Sequence, residues 1–593
     1  MSTKENFDTT DYLIFAITLF LSAAIGVFYW IKDRKKQSPD EIFLGGKSMP
    51  FIPTALSLLT SFLSGVTLLG VPAETYTRGA AYWFSRFVGT PSAVLFTIFI
   101  VLPILWRLNL TSVYQYMEYR FSKTMRYICS VIFIIFMIFY MAVVLYSPSV
   151  ALSAVSGVPS WVFFIAVGLI GNFYTSLGGL KAVVWADTLQ AVFMIGGCAT
   201  LFFFGATRSG GLVHSFELAV QHGRFQDFGN WDLNPFQYIT MWTTMLGGLG
   251  FWLSLLTFNQ ISVQRYLSLS SLSSSRKLLL LNIPGYMIFT VLADLMGVIM
   301  FSYFYGCDPI HSGKIEHRDQ LVIYYALQLL GKYPGLPGIF LACLFSGTLS
   351  TLSSGINSMA AVTWEDFLAV RFTNLPANRK SHVITIIALT YGFLTIIIAF
   401  AARPLGGIVK TVMSVMGSTG GPLVGSFILG MLFPIATNLS AICGILSSTF
   451  LVAAIAIGNA VLKPYAKYQL PLFTDKCNIA NLTILSNNQT SNYDMSNPLT
   501  GFKFIFGVSP VVYPFLGIVF VIIIGLTISL IQKYVLKQSI DKQSILHLTI
   551  FGVSYNWIGS EKSSKESTAR SSPESKSKPS SILWTEDSTL GLK

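Results

Sequence analysis

Long apolar runs, repeated along the chain, constrain this sequence more than any other feature. The first extends from Tyr12 to Ile31 and stops against Lys32, Arg34, Lys35 and Lys36. A helix needs about 20 apolar residues to cross the hydrocarbon of a bilayer. Further runs of that kind lie near 51–71, 80–106, 127–153, 160–177, 183–205, 238–257, 279–303, 337–362, 383–402, 408–434, 439–462 and 511–532. Together they predict an all-α polytopic membrane protein with about thirteen transmembrane helices. Inside lipid every backbone N–H and C=O must find a partner in its own structure, so unbroken runs imply helices. The strands of a membrane barrel would alternate instead.

Composition agrees. Of 593 residues, 53% are hydrophobic and only 11% charged, against about 25% charged in a soluble domain. The formal charge of +13 does not mark a nucleic-acid-binding face, because Lys and Arg sit in short loops between the runs. There they orient helices by the positive-inside rule. The first run is too long for a signal-peptide core and lacks a cleavage site, so it reads as a retained anchor. Its basic flank belongs in the cytosol, which places the N-terminus outside. Arg107, Arg120, Lys123 and Arg126 then fall inside, as do Arg265, Arg276 and Lys277, and later Arg371, Arg379 and Lys380. The 463–510 loop falls outside and holds two glycosylation sequons, at Asn481 and Asn488; the sequon at Asn109 would be cytosolic and unused. Cys307 and Cys477 lie in loops on that same outer side, open to a disulfide, while Cys129, Cys198, Cys343 and Cys443 fall within apolar runs. The C-terminal stretch, rich in Ser, Lys, Glu and Pro from about Gly559, reads as a disordered cytosolic tail. This is the expected topology of a multi-pass plasma-membrane protein.

Nothing marks an enzyme: the six His residues are scattered, and neither a P-loop nor a G-x-S-x-G elbow occurs. The informative residues are polar ones inside spans, each costly in lipid unless it faces a partner or cavity. In Ser346-Gly-Thr-Leu-Ser-Thr-Leu-Ser-Ser-Gly-Ile-Asn357, the residues Ser346, Ser350, Ser353 and Asn357 recur at helical spacing and line one face with oxygen. Gly347, Ser350 and Thr351 stand at i, i+3 and i+4, close enough to surround one ion. Neutral hydroxyls and freed carbonyls suit a monovalent cation that must leave again. Small hydroxylated residues also serve helix packing; their density here favours an ion site. A second stripe, Thr60, Ser61, Ser64 and Thr67, would expose the carbonyls of Thr60 and Leu63 if its helix unwound midway, with packing again the alternative. Asp187 sits a turn or two into its span, as a functional carboxylate or as the partner of Lys181 or Arg265 at the cytosolic rim. Asp294 lies deeper, either binding a cation or proton or pairing with Arg86.

Several longer motifs occur in one order: Ser64-Gly-Val-Thr-Leu-Leu-Gly-Val-Pro-Ala-Glu74, Tyr174-Thr-Ser-Leu-Gly-Gly-Leu-Lys-Ala-Val-Val-Trp-Ala-Asp187, Asn259-Gln-Ile-Ser-Val-Gln-Arg-Tyr266, Cys307-Asp-Pro309, Gly335-Leu-Pro-Gly338, Ser346-Gly-Thr-Leu-Ser-Thr351 and Ala361-Val-Thr-Trp-Glu-Asp366. With them the chain resembles the sodium/solute symporter family from Asp11 to about Lys533. The nearest branch is that of the sodium-coupled monocarboxylate, multivitamin and iodide transporters. The sugar branch carries an Asn and a His where this chain has Phe62 and Thr67.

The resemblance implies a LeuT-like core of two inverted five-helix repeats, 51–205 and 238–434, joined by an extracellular loop, 206–237. Residues 1–50 would form the leading helix and its flanks, 435–533 two trailing helices with the glycosylated loop, and 534–593 the tail. Carried over by position, Na⁺ would be held by the carbonyls of Thr60 and Leu63 with Gly347, Ser350 and Thr351. Asp187 matches a carboxylate linked to sodium coupling, and the substrate would meet Ser64, Thr67, Tyr140 and Trp252. Thr67 matches a Thr of the monocarboxylate carriers, which implies import of a small organic anion with Na⁺ by alternating access. Multivitamin (biotin or pantothenate) or iodide-type uptake, or a non-transporting sensor or ion-conducting protein on the same scaffold, are the alternatives. The chain departs from the family at Ala186, where a Thr is usual, and at Leu256-Thr257-Phe258.

Overall fold

The computed structural model describes residues 7–33, 38–401, 408–465, 470–477, 501–537 and 548–550. Among the described residues the regular structure is helical, with no strand. Among the described residues ten helices are long and apolar enough to cross a membrane, or up to twelve if each of two bent pairs is one span. The difference from the sequence expectation of about thirteen arises in three places, one of them the run near 238–257, where Met241–Thr257 and Gln260–Leu267 meet at a 50° bend. The runs at 160–177 and 183–205 share one continuous element, Ser160–Arg208, of 49 residues. A straight helix of that length would measure about 74 Å, more than twice the roughly 30 Å of hydrocarbon. It turns instead at Gly179 (φ 57, ψ −159), a conformation open to a residue without Cβ, with the Ile42 carbonyl close against it. The run near 51–71, by contrast, divides into two short helices.

The elements that position the site are α1 (Phe51–Phe62), α2 (Gly65–Arg78), α3 (Ser160–Arg208), α4 (Gln260–Leu267), α5 (Leu272–Tyr303) and α6 (Leu336–Thr363). In α6 nearly every residue from Pro337 to Val362 is buried, so it has no lipid-facing stripe and lies within the bundle. Helix α3 packs along it, as do α1 and the leading helix Thr9–Lys32. Asp11 fixes the start of α6: its carboxylate accepts the N–H groups of Gly335 (3.1 Å) and Gly338 (2.9 Å), a negative charge at the positive end of the helix dipole.

Loops gather at two ends of the bundle. At one end Cys307 and Cys477 are joined, their Cα atoms 4.8 Å apart. There Tyr76 donates to Asp308 (2.6 Å), and Leu470 N–H bonds the Thr77 carbonyl (2.9 Å). At the other end Arg126 pairs with Asp366 (2.6 Å) and Glu118 (2.7 Å), and Lys181 pairs with Glu41 and Asp33. Asn481, Asn488, the 402–407 connection and most of the 534–593 tail lie outside the described residues.

Two neighbouring glycines test the seat of α3 on α6. A Cβ on Gly197 would fall 2.3 Å from that of Cys343, whereas one on Gly196 meets nothing within 4 Å. Gly197→Ala is expected to destabilise, since overpacking costs about 1–3 kcal/mol. Gly196→Ala should be neutral or stabilise by up to about 1 kcal/mol through helix propensity. Thermal unfolding of the two purified variants measures both.

Candidate functional site

The site grows from the break between α1 and α2. Leu63 (φ −91, ψ 72) and Ser64 (φ −85, ψ 173) leave the helical region, and α2 begins at Gly65. The Ser64-Gly65 pair suits a break, because Ser favours the position before a helix and Gly weakens helix continuity. The break strips backbone groups of their intrahelical partners, and α6 supplies replacements. Thr351 Oγ1 donates to the Ser61 carbonyl (2.9 Å), and Ser350 Oγ donates to Thr60 Oγ1 (3.1 Å). Gly347 permits this approach: a Cβ there would stand 2.7 Å from the Leu63 carbonyl oxygen. Thr60, Leu63, Gly347, Ser350 and Thr351, the residues named from sequence, therefore meet at one point, and all are buried. Their hydroxyls and carbonyls form an uncharged oxygen set, the chemistry that fits Na⁺.

Asp187 reaches this point from α3. Of the alternatives left open by the sequence, it takes the ion pair with Arg265. It is fully buried, as is its partner Arg265 of α4, with Nη2 and Oδ2 3.1 Å apart. Lys181, the other expected partner, is engaged elsewhere. Ser57 links the pair, donating to Asp187 and accepting from Arg265 Nε (2.8 Å). Ser354 also accepts from Arg265 and lies 3.0 Å from Ser61 Oγ. The Ser350 hydroxyl stands beside the Asp187 carboxylate, so one serine faces both the ion pair and Thr60. Asp187 Oδ1 accepts no hydrogen bond among the described residues. A buried charge pair requires partners of this kind, because removing two ions from water costs several kcal/mol each.

Of the expected substrate residues, Ser64 lies in the break itself. It stands beside the Tyr140 hydroxyl. Trp252 packs against Tyr286 with ring centroids 5.4 Å apart, and Tyr286 donates to the Leu58 carbonyl (2.6 Å). Ser64, Tyr140 and Trp252 are each 5% exposed or less. Thr67 lies one turn into α2, with its hydroxyl turned back to the Phe62 carbonyl (3.4 Å). After Trp252 the backbone widens into a π-helical turn, Leu253–Thr257, a deformation common at functional sites. Asn259 then caps α4 by accepting the Ile261 N–H (2.9 Å), which directs Arg265 inward.

Ser57, Ser354 and Tyr286 were not singled out from sequence. Ser57 had a signal, since it precedes Ser61 by one turn on the stripe that includes Thr60 and Ser64; Tyr286 had none. Asp294 pairs with Arg86 and accepts from Thr75 (3.1 Å), so of its two alternatives the structure takes the pair.

Known proteins match most of the chain. The model of the Sodium:solute symporter family matches residues 42–448. Sodium-coupled monocarboxylate transporter 2 of Bos taurus is 40% identical over 481 residues, covering 81% of this chain and 78% of that protein. Sodium-coupled monocarboxylate transporter 1 of Homo sapiens is 38% identical over 466 residues, covering 78% and 76%. Sodium-dependent multivitamin transporter of Oryctolagus cuniculus is 36% identical over 544 residues, covering 89% and 83%. The solved structure of a Na⁺-coupled sialic acid symporter, in a substrate-bound outward-open state, matches with TM-score 0.70 at 21% identity over 88% of this chain and 98% of that one. At that identity the likeness speaks for the fold alone. The chain belongs to the sodium:solute symporter family, as a sodium-coupled transporter and not an enzyme.

Proposed function

We propose that the chain imports a small monocarboxylate anion together with Na⁺ by alternating access. One observation carries this reading: the oxygen set that suits Na⁺ and Ser64, which stands beside Tyr140, meet at a single helix break. Ion and substrate bound there would bias the same pieces of backbone. Helix α2 has no side-chain cap at Ser64, so its first N–H groups and the positive end of its dipole face the break, an arrangement that favours a carboxylate. Thr67 and the naming of relatives as monocarboxylate transporters point to the same substrate class.

Na⁺ held between α1 and α6 would pull the two together and favour the conformer in which the carboxylate site is complete. The driving force is the sodium gradient, with about 2.3 kcal/mol per net charge per 100 mV added by the membrane potential. In this reading 51–205 and 238–434 are the inverted repeats, and the end bearing Cys307 and Cys477 faces outward. A disulfide belongs in an oxidising compartment, while Arg107, Lys123, Arg276, Arg371 and Lys380 belong to the opposite, cytosolic end. The N-terminus is then extracellular and the C-terminus cytosolic, in the plasma membrane.

Cells expressing the chain should take up radiolabelled lactate or pyruvate, and replacing Na⁺ by choline should lower that uptake at least tenfold, by analogy with a coupling of about 1.4 kcal/mol or more. Uptake indifferent to sodium, or no uptake across a panel including nicotinate, biotin, pantothenate and iodide, would overturn the reading. Ser350→Ala and Thr351→Ala should each raise the sodium concentration for half-maximal uptake about 5- to 30-fold, the equivalent of one lost ligand contact. Unchanged sodium activation in both variants would remove these ligands from the site. Asn481→Gln with Asn488→Gln should abolish the glycosidase-sensitive shift in gel mobility, and a shift that persists would contradict an outward-facing 463–510 loop.

A further inference from the structure

Helix α2 carries the break at one end and Arg78 at the other, about 20 Å away along its axis. At the Arg78 end, two arginines from separate segments share one carboxylate, with two lysines nearby. Arg78 pairs with Glu74 (2.7 Å), and Arg318 lies 3.8 Å from the other Glu74 oxygen. The Tyr238 hydroxyl donates to Glu74 (3.0 Å), with its ring centroid 4.3 Å from the Arg78 guanidinium carbon. Lys410 lies in the helix Ile408–Val415, which packs against α2, close enough to feel Arg78, Lys463 and Arg318 through space. It is half-buried and forms no ion pair among the described residues. Arg126, by comparison, has both Glu118 and Asp366, and Lys181 has both Glu41 and Asp33. Here a single carboxylate serves two arginines, and neither lysine beside them forms an ion pair among the described residues.

We propose that Lys410, with Arg78, Arg318 and Lys463, forms an outer docking site for the carboxylate of the transported anion, occupied before the anion reaches the break. The site rests on the function proposed above. Positive side chains set against low-dielectric walls focus the potential and raise the local concentration of anions, and a carboxylate accepts charge-assisted hydrogen bonds from such groups. The cluster lies at the end of the bundle that bears the Cys307–Cys477 bond, where substrate would arrive.

The test is lactate uptake by the full chain at saturating Na⁺, scaled to the amount of protein at the cell surface. Lys410→Gln should raise KM about five- to tenfold with Vmax and half-saturating Na⁺ unchanged, and Lys410→Arg should retain the wild-type KM. Arg318→Gln, in a surface loop, should raise KM in the same direction about two- to threefold, and it decides the matter if Lys410→Gln does not reach the surface. Wild-type KM in Lys410→Gln and Arg318→Gln, or an equal rise in Lys410→Arg, would show that charge at this place does not recruit substrate. A wild-type chain without sodium-dependent carboxylate uptake would instead remove the transport reading on which this site depends.

Discussion

A backbone group freed from its helix inside a bilayer costs several kcal/mol unless something takes the place of the lost hydrogen bond. The break at Leu63 and Ser64 frees such groups in the interior of the bundle, and helix α6 answers with hydroxyls. Thr351 reaches the Ser61 carbonyl, and Ser350 reaches Thr60. Gly347 allows α6 to come close enough for this, because a methyl group there would occupy the space beside the Leu63 oxygen. The same requirement explains why α6 is both hydroxyl-rich and buried on all sides. It also creates the site: oxygens that need a partner when α6 is near are oxygens that a small cation can bridge.

The Asp187–Arg265 pair extends this junction to two more helices. Each charge would be costly to bury alone, and each is placed by structure outside the pair. Asp187 follows the turn of α3 at Gly179. Arg265 follows the Asn259 cap and the Gln260 side chain, which takes the Val113 N–H (2.9 Å) and donates to the Thr111 carbonyl (2.7 Å). Two of the motifs that mark the family thus serve one interaction, and Ser57, Ser350 and Ser354 connect it to α1 and α6. Loss of Arg265 alone would leave Asp187 buried and unbalanced, a cost of about 3–5 kcal/mol.

How much of this was legible in the sequence follows from the range of the interactions. Helix positions came from hydropathy, a property of about 20 adjacent residues. The hydroxyl face of α6 came from a spacing of three and four. Both are local. The depth of Asp187 is not local, because it depends on where α3 turns and on which residues of α1 and α4 surround it. A sequence reading therefore left Lys181 and Arg265 as equal partners, although in space they lie in different environments. Tyr286 was hidden for the same reason: one aromatic among many in an apolar run gains a role only when Trp252 and the Leu58 carbonyl lie against it.

Helix α2 joins the parts of the molecule that a carrier must coordinate. Its first residues belong to the break, where Gly65 lies close against α6. Its last residues are tied to other segments, through Tyr76 to Asp308, through Arg78 to Tyr238, and through the Thr77 carbonyl to Leu470. Asp308 in turn also engages His311, 2.6 Å away, and the hydrogen bond raises the imidazole above its ordinary pKa. A fourteen-residue helix with one end at the break and the other tied to these segments acts as a lever: filling the break with an ion changes contacts at the first end, and the tied end must either hold or repack as a unit. Packed contacts of this kind have discrete arrangements rather than a continuum. In the transport cycle proposed above, occupancy of the break would reach the outer end as a choice between states, the condition for coupling ion and solute in one carrier.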